Sequence, residues 1–321
     1  MKQLVWIIDE EWSDYEIENE ILKKELPNVV IRHSNYNYES DLEDFGKDAD
    51  FILSQIYVDI PSSVISKLNK CKGIAVYGGG YDRIDIEAAR AKNISVTNVN
   101  GYCIEDIAEY VIAAILLKSK DLEGYKKNIS QKEWGAQAVH RKIHRITEQT
   151  LFIAGCGRIG SYVGQKALAL NMNVIGYDPF VDEKTMLKNG ITKVSLEEGF
   201  RNADFISVHI KCDDTTEGLI TDKYFSLMKP TAYLINTSRG KILNEKDLIS
   251  AIKEKKFAGA ILDVITNEPP ECEDEILNTS NIMVTPHISY ISEESYEELK
   301  RRTVYNGLAM YKGERPKDIV N

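Results

Sequence analysis

This 321-residue chain has few cysteines, no net positive charge and no long apolar run. Its five cysteines are odd in number and scattered, with no Cys-x-x-Cys pair, which predicts reduced thiols in a cytoplasmic protein and no metal site. Acidic residues number 50 against 40 basic ones, and the net charge of −10 argues against nucleic-acid or anionic-membrane partners bound by bulk electrostatics. The densest apolar stretch, residues 107–117, contains Glu109 and is too short to span a bilayer.

What the chain does contain is a regular alternation of short β-branched runs and amphipathic helical stretches. The first set of predicted strands covers residues 4–8, 29–32, 50–54, 73–77 and 95–98. The second set covers residues 151–154, 173–177, 205–210, 232–236, 259–264 and 282–285. Strands that alternate with helices form parallel sheets covered on both faces. Because the length also suggests two domains, the sequence predicts an α/β fold with two doubly wound parallel sheets.

The domain boundaries follow from the same alternation. A long apolar-faced helix at about residues 104–120 separates the two strand sets, and the tail at about residues 292–320 is a charged helix with an apolar face. The tail has no strand partner nearby in sequence, so we expect it to return to the first domain. We therefore predict a discontinuous domain of residues 1–99 and 288–321, and a second domain of residues 100–287.

A glycine-rich turn follows the first strand of the second set. It reads Gly-Cys-Gly-Arg-Ile-Gly and lies between a strand and a predicted helix, the context that the dinucleotide-binding fingerprint Gly-x-Gly-x-x-Gly requires. Gly155 permits the tight turn, Gly157 lets a pyrophosphate approach the backbone, and Gly160 lets the helix pack closely against the strand. The backbone amides of Arg158 and Ile159 would point at the phosphates, and the helix dipole would add to the attraction.

Asp178 ends the next strand, 23 residues after Gly155, close to the spacing expected for the acid that binds the adenosine ribose. A carboxylate there accepts hydrogen bonds from the ribose hydroxyls and repels a 2′-phosphate. Neither Pro179 nor Phe180 supplies an arginine that would reverse this preference, so NAD is the predicted cofactor rather than NADP. His209, at the end of a later strand, is expected to line the cofactor.

Three further segments of the second set each end a predicted strand. They are Asn-Thr-Ser-Arg-Gly at residues 236–240, Asp-Val at residues 263–264 with Glu-Pro at residues 268–269 beyond it, and Thr-Pro-His at residues 285–287. Because ligands bind at the carboxyl ends of strands in open parallel sheets, we expect Arg239, Glu268 and His287 to converge on one site. Imidazole suits proton transfer near neutral pH, and a planar guanidinium suits a carboxylate.

These segments resemble the D-isomer-specific 2-hydroxyacid dehydrogenase family in their order and spacing, and the resemblance covers nearly the whole chain. Residues 98–109 resemble the branch that contains the eukaryotic C-terminal-binding-protein corepressors, their bacterial relatives and phosphoglycerate-dehydrogenase-like members. The resemblance implies a Rossmann NAD-binding domain and a flavodoxin-like substrate domain. It also implies a homodimer, whose arm we expect in residues 104–117 and their polar extension through Trp134.

The resemblance further implies a role for each residue of the site. His287 would give or take the proton, and Glu268 would orient His287 and favour its protonated form. Arg239 would hold the substrate carboxylate and polarise the carbonyl. Asp263 would accept a hydrogen bond from the nicotinamide carboxamide, while the cofactor carries the hydride. The remaining predicted cofactor contacts are Thr216, Thr237 and Ser238.

The first domain is expected to supply the other half of the substrate site. A glycine-rich loop follows its fourth strand, and the amides of Gly79 and Gly80 would bind the substrate carboxylate opposite Arg239. Gln55, at the end of the preceding strand, should face the same cleft. Tyr290, just after His287, could wall the pocket.

Three functions remain open on the sequence alone. The first is an NAD-dependent dehydrogenase that transfers hydride between NADH and a small, non-phosphorylated 2-keto acid. The second is 3-phosphoglycerate dehydrogenase, but the segments that carry arginines in those enzymes read Leu53, Ser54, Gln55 and Val76 here, which would leave a phosphate poorly neutralised. The third, from another class, is an NAD-gated binding protein of the corepressor type, in which a partner surface matters more than turnover.

Overall fold

The structure, a computed structural model, describes residues 2–321, and the chain divides into two compact units. The first unit runs to Tyr102 and resumes at Ser292–Asn321, and the second is Cys103–Ile291. The first unit is therefore built from two separate stretches of chain. The assignment of substrate binding to residues 1–99 with 288–321, and of cofactor binding to residues 100–287, stays a prediction. Over the described residues, no helix is both long and apolar enough to cross a membrane.

The first unit contains a five-stranded parallel sheet. Its strands are β1 (Leu4–Ile8), β2 (Val30–Ser34), β3 (Phe51–Gln55), β4 (Gly73–Tyr77) and β5 (Ser95–Thr97). The helices between them are α1 (Glu16–Glu25), α2 (Glu39–Asp44), α3 (Ser62–Ile65) and α4 (Ile86–Ala91). The strand order is β2-β1-β3-β4-β5, which is the order of the flavodoxin-like fold that the resemblance implied.

The C-terminal helix, Glu293–Lys312, covers one face of this sheet. It approaches so closely that a Cβ at Gly307 would lie 2.7 Å from the ring of Phe51. On the sheet side, a Cβ at Gly73 would lie 2.4 Å from the sulfur of Met310. Glycine at these two positions therefore sets the distance between the helix and the sheet.

The second unit contains a seven-stranded parallel sheet. Its strands are β6 (Thr150–Ala154), β7 (Asn173–Tyr177), β8 (Thr192–Lys193), β9 (Phe205–Val208), β10 (Tyr233–Asn236), β11 (Gly259–Leu262) and β12 (Ile282–Val284). Its helices are α5 (Ile104–Ser119), α6 (Leu122–Ser130), α7 (Arg158–Ala169), α8 (Glu183–Lys188), α9 (Leu196–Asn202), α10 (Asp222–Phe225), α11 (Glu245–Lys253) and α12 (Glu275–Asn278). The order β12-β11-β10-β9-β6-β7-β8 is the Rossmann order 3-2-1-4-5-6 with one further strand at the edge.

Alternate residues of the second sheet enter different cores. Phe152 of β6 belongs to one apolar cluster, whereas its neighbours Leu151 and Ile153 belong to the cluster on the opposite face. The central strands are therefore largely apolar on both faces, as expected of a parallel sheet buried on both sides. Helix α5 adds Val111 and Ile115 to the second cluster, so its apolar face packs within its own unit.

Candidate active site

The glycine turn lies at the switch point of the second sheet, between β6 and β9, where ligands bind in doubly wound folds. Gly155 has φ of +99°, and a Cβ there would lie 2.7 Å from the carbonyl carbon of His209. At Gly160 a Cβ would lie 2.0 Å from the carbonyl oxygen of Gly155, so α7 reaches the turn only because this residue is glycine. At Gly157 an added Cβ would meet no atom of the described chain within 4 Å, so this side of the turn is open.

Helix α7 begins at Arg158, directly after Gly157. The amides of Arg158 and Ile159 belong to its first turn, where N–H groups have no partner within the helix. An open glycine beside a helix N-terminus fits the pyrophosphate of a dinucleotide in both shape and charge.

The ribose acid predicted at Asp178 is held rigidly by backbone amides. One carboxylate oxygen accepts a hydrogen bond from the N–H of Cys156 at 2.9 Å. The other accepts hydrogen bonds from Phe180 at 2.8 Å and Val181 at 3.1 Å. A carboxylate has about four acceptor positions, so one remains for a ribose hydroxyl. The Phe180 side chain beside it is 96% exposed.

His209 lies directly after β9, which ends at Val208 and not at residue 210 as predicted. Its N–H donates to the carbonyl oxygen of Ala154 at 2.7 Å, and its Nε2 is 2.8 Å from the hydroxyl of Ser207. Burial lowers the pKa of His209 to about 4, so its imidazole is neutral at pH 7. Thr216, another predicted cofactor contact, donates its hydroxyl to the carbonyl of Lys211 at 2.6 Å.

The turn after β10 presents Arg239. The Asn236 side chain closes this turn, because its oxygen accepts from the N–H of Ser238 at 3.0 Å and its amide donates to the carbonyl of Arg239 at 2.9 Å. A Cβ at Gly240 would lie 1.9 Å from the backbone of Ile265. Glycine therefore lets this turn pack against the turn after β11, which carries Glu268.

Glu268 and His287 form the central pair of the site. The Nδ1 of His287 is 2.9 Å from one oxygen of Glu268, and the other oxygen accepts from the N–H of Ile265 at 2.9 Å. The side chain of His287 is 12% exposed and that of Glu268 is 16% exposed. Burial raises the pKa of Glu268, but the hydrogen bond and charge of His287, the N–H of Ile265 and the charge of Arg239 outweigh it and hold the pKa below its ordinary value.

The structure thus brings Glu268 and His287 into contact, with Arg239 near enough for its charge to act on the carboxylate. These three residues come from separate turns, after β10, β11 and β12. A carboxylate, an imidazole and a guanidinium in this arrangement can hold one proton on the imidazole and offer a cation to an anionic ligand.

Asp263 has a structural contact that the sequence did not reveal. One of its oxygens accepts from the hydroxyl of Thr285 at 2.6 Å and the N–H of Ile288 at 2.9 Å, and the other accepts from the N–H of Ser289 at 2.8 Å. Asp263 therefore fastens the chain on both sides of His287. Its contact with a nicotinamide stays a prediction, since only one acceptor position of about four remains.

Three further predicted contacts of this unit are Thr237, Ser238 and Tyr290. The hydroxyl oxygen of Thr237 is buried without a hydrogen-bond partner among the described residues, whereas the hydroxyl of Ser238 donates to the carbonyl of Ile210. The Tyr290 ring is 8% exposed and lies edge-on to His287, with 6.4 Å between the ring centroids. An unpartnered buried hydroxyl at Thr237 is consistent with a missing ligand group.

The predicted substrate residues of the first unit lie at the carboxyl ends of β3 and β4. Gln55, the last residue of β3, is 3% exposed, and its Nε2 has no hydrogen-bond partner among the described residues. After β4, Gly78 has φ of +149°, and the carbonyl of Gly79 accepts from the side chain of Asn98 at 2.8 Å. Gly79 itself is exposed, and Gly80 is half-buried.

Comparison with known proteins places this arrangement in a family. Residues 112–289 match the NAD-binding domain of the D-isomer specific 2-hydroxyacid dehydrogenases. The glyoxylate reductase of Korarchaeum cryptofilum is 32% identical over 278 residues, which are 86% of this chain and 83% of that protein. The D-3-phosphoglycerate dehydrogenase of Methanocaldococcus jannaschii is 32% identical over 276 residues, which are 86% of this chain and 52% of that protein.

A solved structure matches over the whole length. The D-lactate dehydrogenase of Aquifex aeolicus, complexed with NAD and lactic acid, superposes with a TM-score of 0.86 at 26% identity and covers 99% of both chains. A Rossmann sheet with this glycine turn and this NAD-binding match defines an NAD-dependent oxidoreductase. The chain belongs to the D-isomer-specific 2-hydroxyacid dehydrogenase family, which confirms the resemblance seen in its sequence. No group of three or more His, Cys, Asp or Glu side chains in residues 2–321 could hold a metal ion.

Proposed function

We propose that the chain reduces a small, non-phosphorylated 2-keto acid with NADH, and that His287 donates the proton. The observation that carries the proposal is the 2.9 Å contact between Nδ1 of His287 and Glu268. A histidine whose Nδ1 contacts a carboxylate is held in one orientation and can act as a proton donor through its other ring nitrogen. In this arrangement Nε2 gives its proton to the carbonyl oxygen of the substrate as hydride reaches the carbon.

Glu268 supports this role through its charge. Because the pKa of Glu268 lies below its ordinary value, the carboxylate stays ionised near neutral pH. An ionised partner stabilises the imidazolium, the form that can donate a proton. Arg239 then holds the substrate carboxylate and draws electron density from the carbonyl, a task for which a planar guanidinium is better suited than an ammonium.

The turn around Gly157 and Asp178 fits an NAD cofactor. Gly157 leaves room for the pyrophosphate above α7, and Asp178 offers its remaining acceptor position to the ribose. When bound, the nicotinamide supplies the hydride. We propose that the fixed carboxylate of Asp178 repels a 2′-phosphate and makes NAD preferred over NADP.

The substrate class follows from the first unit. The amides of Gly79 and Gly80 are proposed to bind the substrate carboxylate, and the unpartnered amide of Gln55 to donate a hydrogen bond to the substrate. Gln55 is uncharged, and Val76 places an apolar side chain before the glycine loop. A phosphate dianion needs cationic partners, so this set of residues favours a substrate without one.

We further propose that the chain forms a homodimer through the segment that follows α5. Four large apolar side chains of this segment are exposed in the single chain: Leu122 at 55%, Ile129 at 53%, Trp134 at 78% and Val139 at 44%. Exposed apolar side chains clustered in one stretch are typical of an interface between subunits. The apolar face of α5 itself is used within the unit, so the contact falls on α6 and the residues after it.

The function is tested by following NADH oxidation with glyoxylate, pyruvate, hydroxypyruvate and 3-phosphohydroxypyruvate. We expect turnover with one or more of the unphosphorylated acids, and kcat/KM at least tenfold lower with the phosphorylated one. Higher kcat/KM with 3-phosphohydroxypyruvate would assign the chain to phosphoglycerate oxidation. Tight NADH binding without turnover of any acid would contradict the enzymatic proposal and favour an NAD-gated binding protein.

A further inference from the structure

A lysine is completely buried in the first unit, and its acidic partner Glu18 lies far away along the chain. The side chain of Lys300, in the middle of the C-terminal helix, has 0% exposure, and so has the side chain of Glu18 in α1. The Nζ of Lys300 lies 3.3 Å from Oε2 of Glu18 and 2.7 Å from the carbonyl oxygen of Asp14. Removing two charges from water is costly, and apolar residues often replace such pairs without loss of stability. A buried pair of this kind is therefore poorly explained by stability alone.

Aromatic rings enclose the ammonium on its remaining sides. Nζ lies 5.1 Å from the ring centroid of Trp12, 5.6 Å from that of Tyr15 and 4.9 Å from that of Tyr296. Ring faces attract a cation at these distances, and more strongly when water is excluded. The ammonium therefore has one fixed position, and Glu18 is fixed with it.

Glu18 connects this ammonium to the glycine loop. Its other oxygen, Oε1, accepts a hydrogen bond from the hydroxyl of Tyr77 at 3.2 Å. Tyr77 is 1% exposed, is the last residue of β4 and directly precedes Gly78. The Trp12 ring packs edge-on against Tyr77, with 4.6 Å between the centroids. A chain of contacts thus leads from Lys300 through Glu18 to the residue that begins the loop.

Two further residues of the same helix lie near this loop, one beside β4 and the other beside Asn98. The hydroxyl of Thr303 is 3.4 Å from the carbonyl oxygen of Val76, and the side chain of Asn306 donates to the carbonyl oxygen of Asn98 at 3.2 Å. Asn98 in turn donates to the carbonyl of Gly79. Residues three apart are neighbours along a helix, so Lys300, Thr303 and Asn306 form one buried polar row.

We propose that this polar row, Lys300, Thr303 and Asn306, positions the glycine loop so that the amides of Gly79 and Gly80 bind the substrate carboxylate. Lys300 acts as a positioning residue through Glu18 and Tyr77, without touching the substrate. The inference rests on the proposed function, in which this loop binds the carboxylate. It assigns to the C-terminal helix a role in substrate affinity.

The sharpest test removes one hydroxyl. Tyr77→Phe deletes the hydrogen bond to Glu18 and keeps the ring against Trp12. We expect KM for the best 2-keto acid to rise about five- to fiftyfold, since a hydrogen bond to a charged group holds the loop, while kcat changes less than about threefold. The Kd for NADH should stay within about twofold of the wild-type value.

Tyr38→Phe is the matched control. Tyr38 is 5% exposed in the same unit, and its hydroxyl donates to the carbonyl of Asp59, not to Glu18. This variant should lose stability as Tyr77→Phe does and keep the wild-type KM. An equal rise of KM in both variants would show a general structural effect and overturn the proposal, as would an unchanged KM in Tyr77→Phe.

A charge-removing pair of variants tests Lys300 itself. Lys300→Met leaves Glu18 buried and unpaired, so poor folding is expected of it. The double variant Lys300→Met/Glu18→Met removes both charges and should fold, because apolar side chains of similar length fill the space. We expect its KM to remain raised at least fivefold; a wild-type KM in the folded double variant would overturn the proposal.

Amide hydrogen exchange separates this inference from the proposed function. Exchange at residues 78–80 should be faster in Tyr77→Phe than in the wild type, and unchanged in Tyr38→Phe. If the wild type reduces no 2-keto acid, the proposed function fails, and loop exchange still decides whether the polar row orders the loop. Unchanged exchange in Tyr77→Phe would overturn the inference even in an active enzyme.

Discussion

His287 occupies a backbone conformation that most residues avoid. Its φ of +55° is in the left-handed region, where a side chain crowds the following carbonyl. Such a conformation costs on the order of 1–3 kcal/mol and persists only where surrounding contacts impose it. Those contacts are the hydrogen bonds of Asp263 to residues on either side and of His287 N–H to the carbonyl of Asp263 at 2.9 Å. The backbone is therefore held in the position that turns the imidazole toward Glu268.

The proton role of His287 is tested by His287→Asn. Asparagine tolerates the left-handed conformation, so the backbone should be preserved, but it cannot donate a proton as imidazolium does. We expect kcat to fall about 10²–10⁴-fold in steady-state assays. NADH affinity, measured by fluorescence titration, should stay within about twofold. Turnover near the wild-type level would refute the assignment of His287 as proton donor.

The proposed preference for NAD over NADP is tested at Asp178. Asp178→Ala removes the carboxylate that repels a 2′-phosphate, so the ratio of NADH to NADPH affinity should fall at least tenfold. Asp182→Ala is the control, because it removes the same charge from the N-cap of α8, where the carboxylate accepts from the N–H of Thr185. If NADPH is rejected as strongly by Asp178→Ala as by the wild type, another residue sets the preference.

At the level of elements, the apolar strands were predictable, but the ends of several of them were not. The runs at residues 4–8, 73–77 and 173–177 agree with β1, β4 and β7 residue for residue. The edge strand β8 was missed, because its two residues, Thr192 and Lys193, are polar and form no apolar run. The runs that begin at residues 205 and 259 were predicted two residues too long, because the apolar residues Ile210 and Val264 lie in the turns just beyond β9 and β11.

Three residues of the candidate site could be predicted from their positions directly after strands. Arg239, Glu268 and His287 each follow a strand, and strand ends meet at one edge of the sheet. The contacts of Asp263 with the backbone around His287 were not predictable, because they depend on how one turn packs over the next. The same holds for Lys300, whose partners Glu18 and Asp14 lie almost the whole chain away.

The glycine turn offers a matched pair of substitutions. Gly157→Ala places a methyl group in open space, so the free energy of unfolding should be equal or slightly higher, while the methyl obstructs the pyrophosphate and weakens NADH binding at least tenfold. Gly160→Ala drives a methyl into the carbonyl of Gly155, and should cost about 1–3 kcal/mol of stability as well as NADH affinity.

Urea unfolding and NADH titration check both variants. A loss of stability in Gly157→Ala would show that this residue has a packing role. Unimpaired NADH binding in Gly157→Ala would show that the phosphates lie elsewhere.

For the whole molecule, His209 makes stability depend on pH. Its pKa is about 4 in the folded chain, against an ordinary value of 6.5. Between these values the unfolded chain binds more protons, so acidification favours unfolding. The free energy of unfolding that His209 contributes is fully present above about pH 6.5 and is lost as the pH falls toward 4.

Urea unfolding of the wild type and His209→Gln at pH 7.5 and 5.0 measures this contribution. We expect the wild type to lose more stability than the variant between the two pH values. Equal losses would show that His209 titrates normally in the folded chain.

Oligomeric state is the second property of the whole molecule. Trp134→Glu places a charge at the centre of the exposed apolar side chains after α5. If the homodimer forms there, sedimentation should show a shift from dimer to monomer with the fold retained. Lys132→Glu changes charge nearby on an exposed polar residue and should leave the dimer intact. A dimer that survives Trp134→Glu would place the interface elsewhere.

The discontinuous first unit also has a consequence for synthesis on the ribosome. All five strands of its sheet emerge early, but the helix that covers Phe51 and Leu53 is made only after the whole of Cys103–Ile291. At roughly 5–20 residues per second, this delay lasts about 10–40 seconds. During that time the nascent sheet presents an apolar face to solvent, and holding chaperones that bind such surfaces would be recruited to it before translation ends.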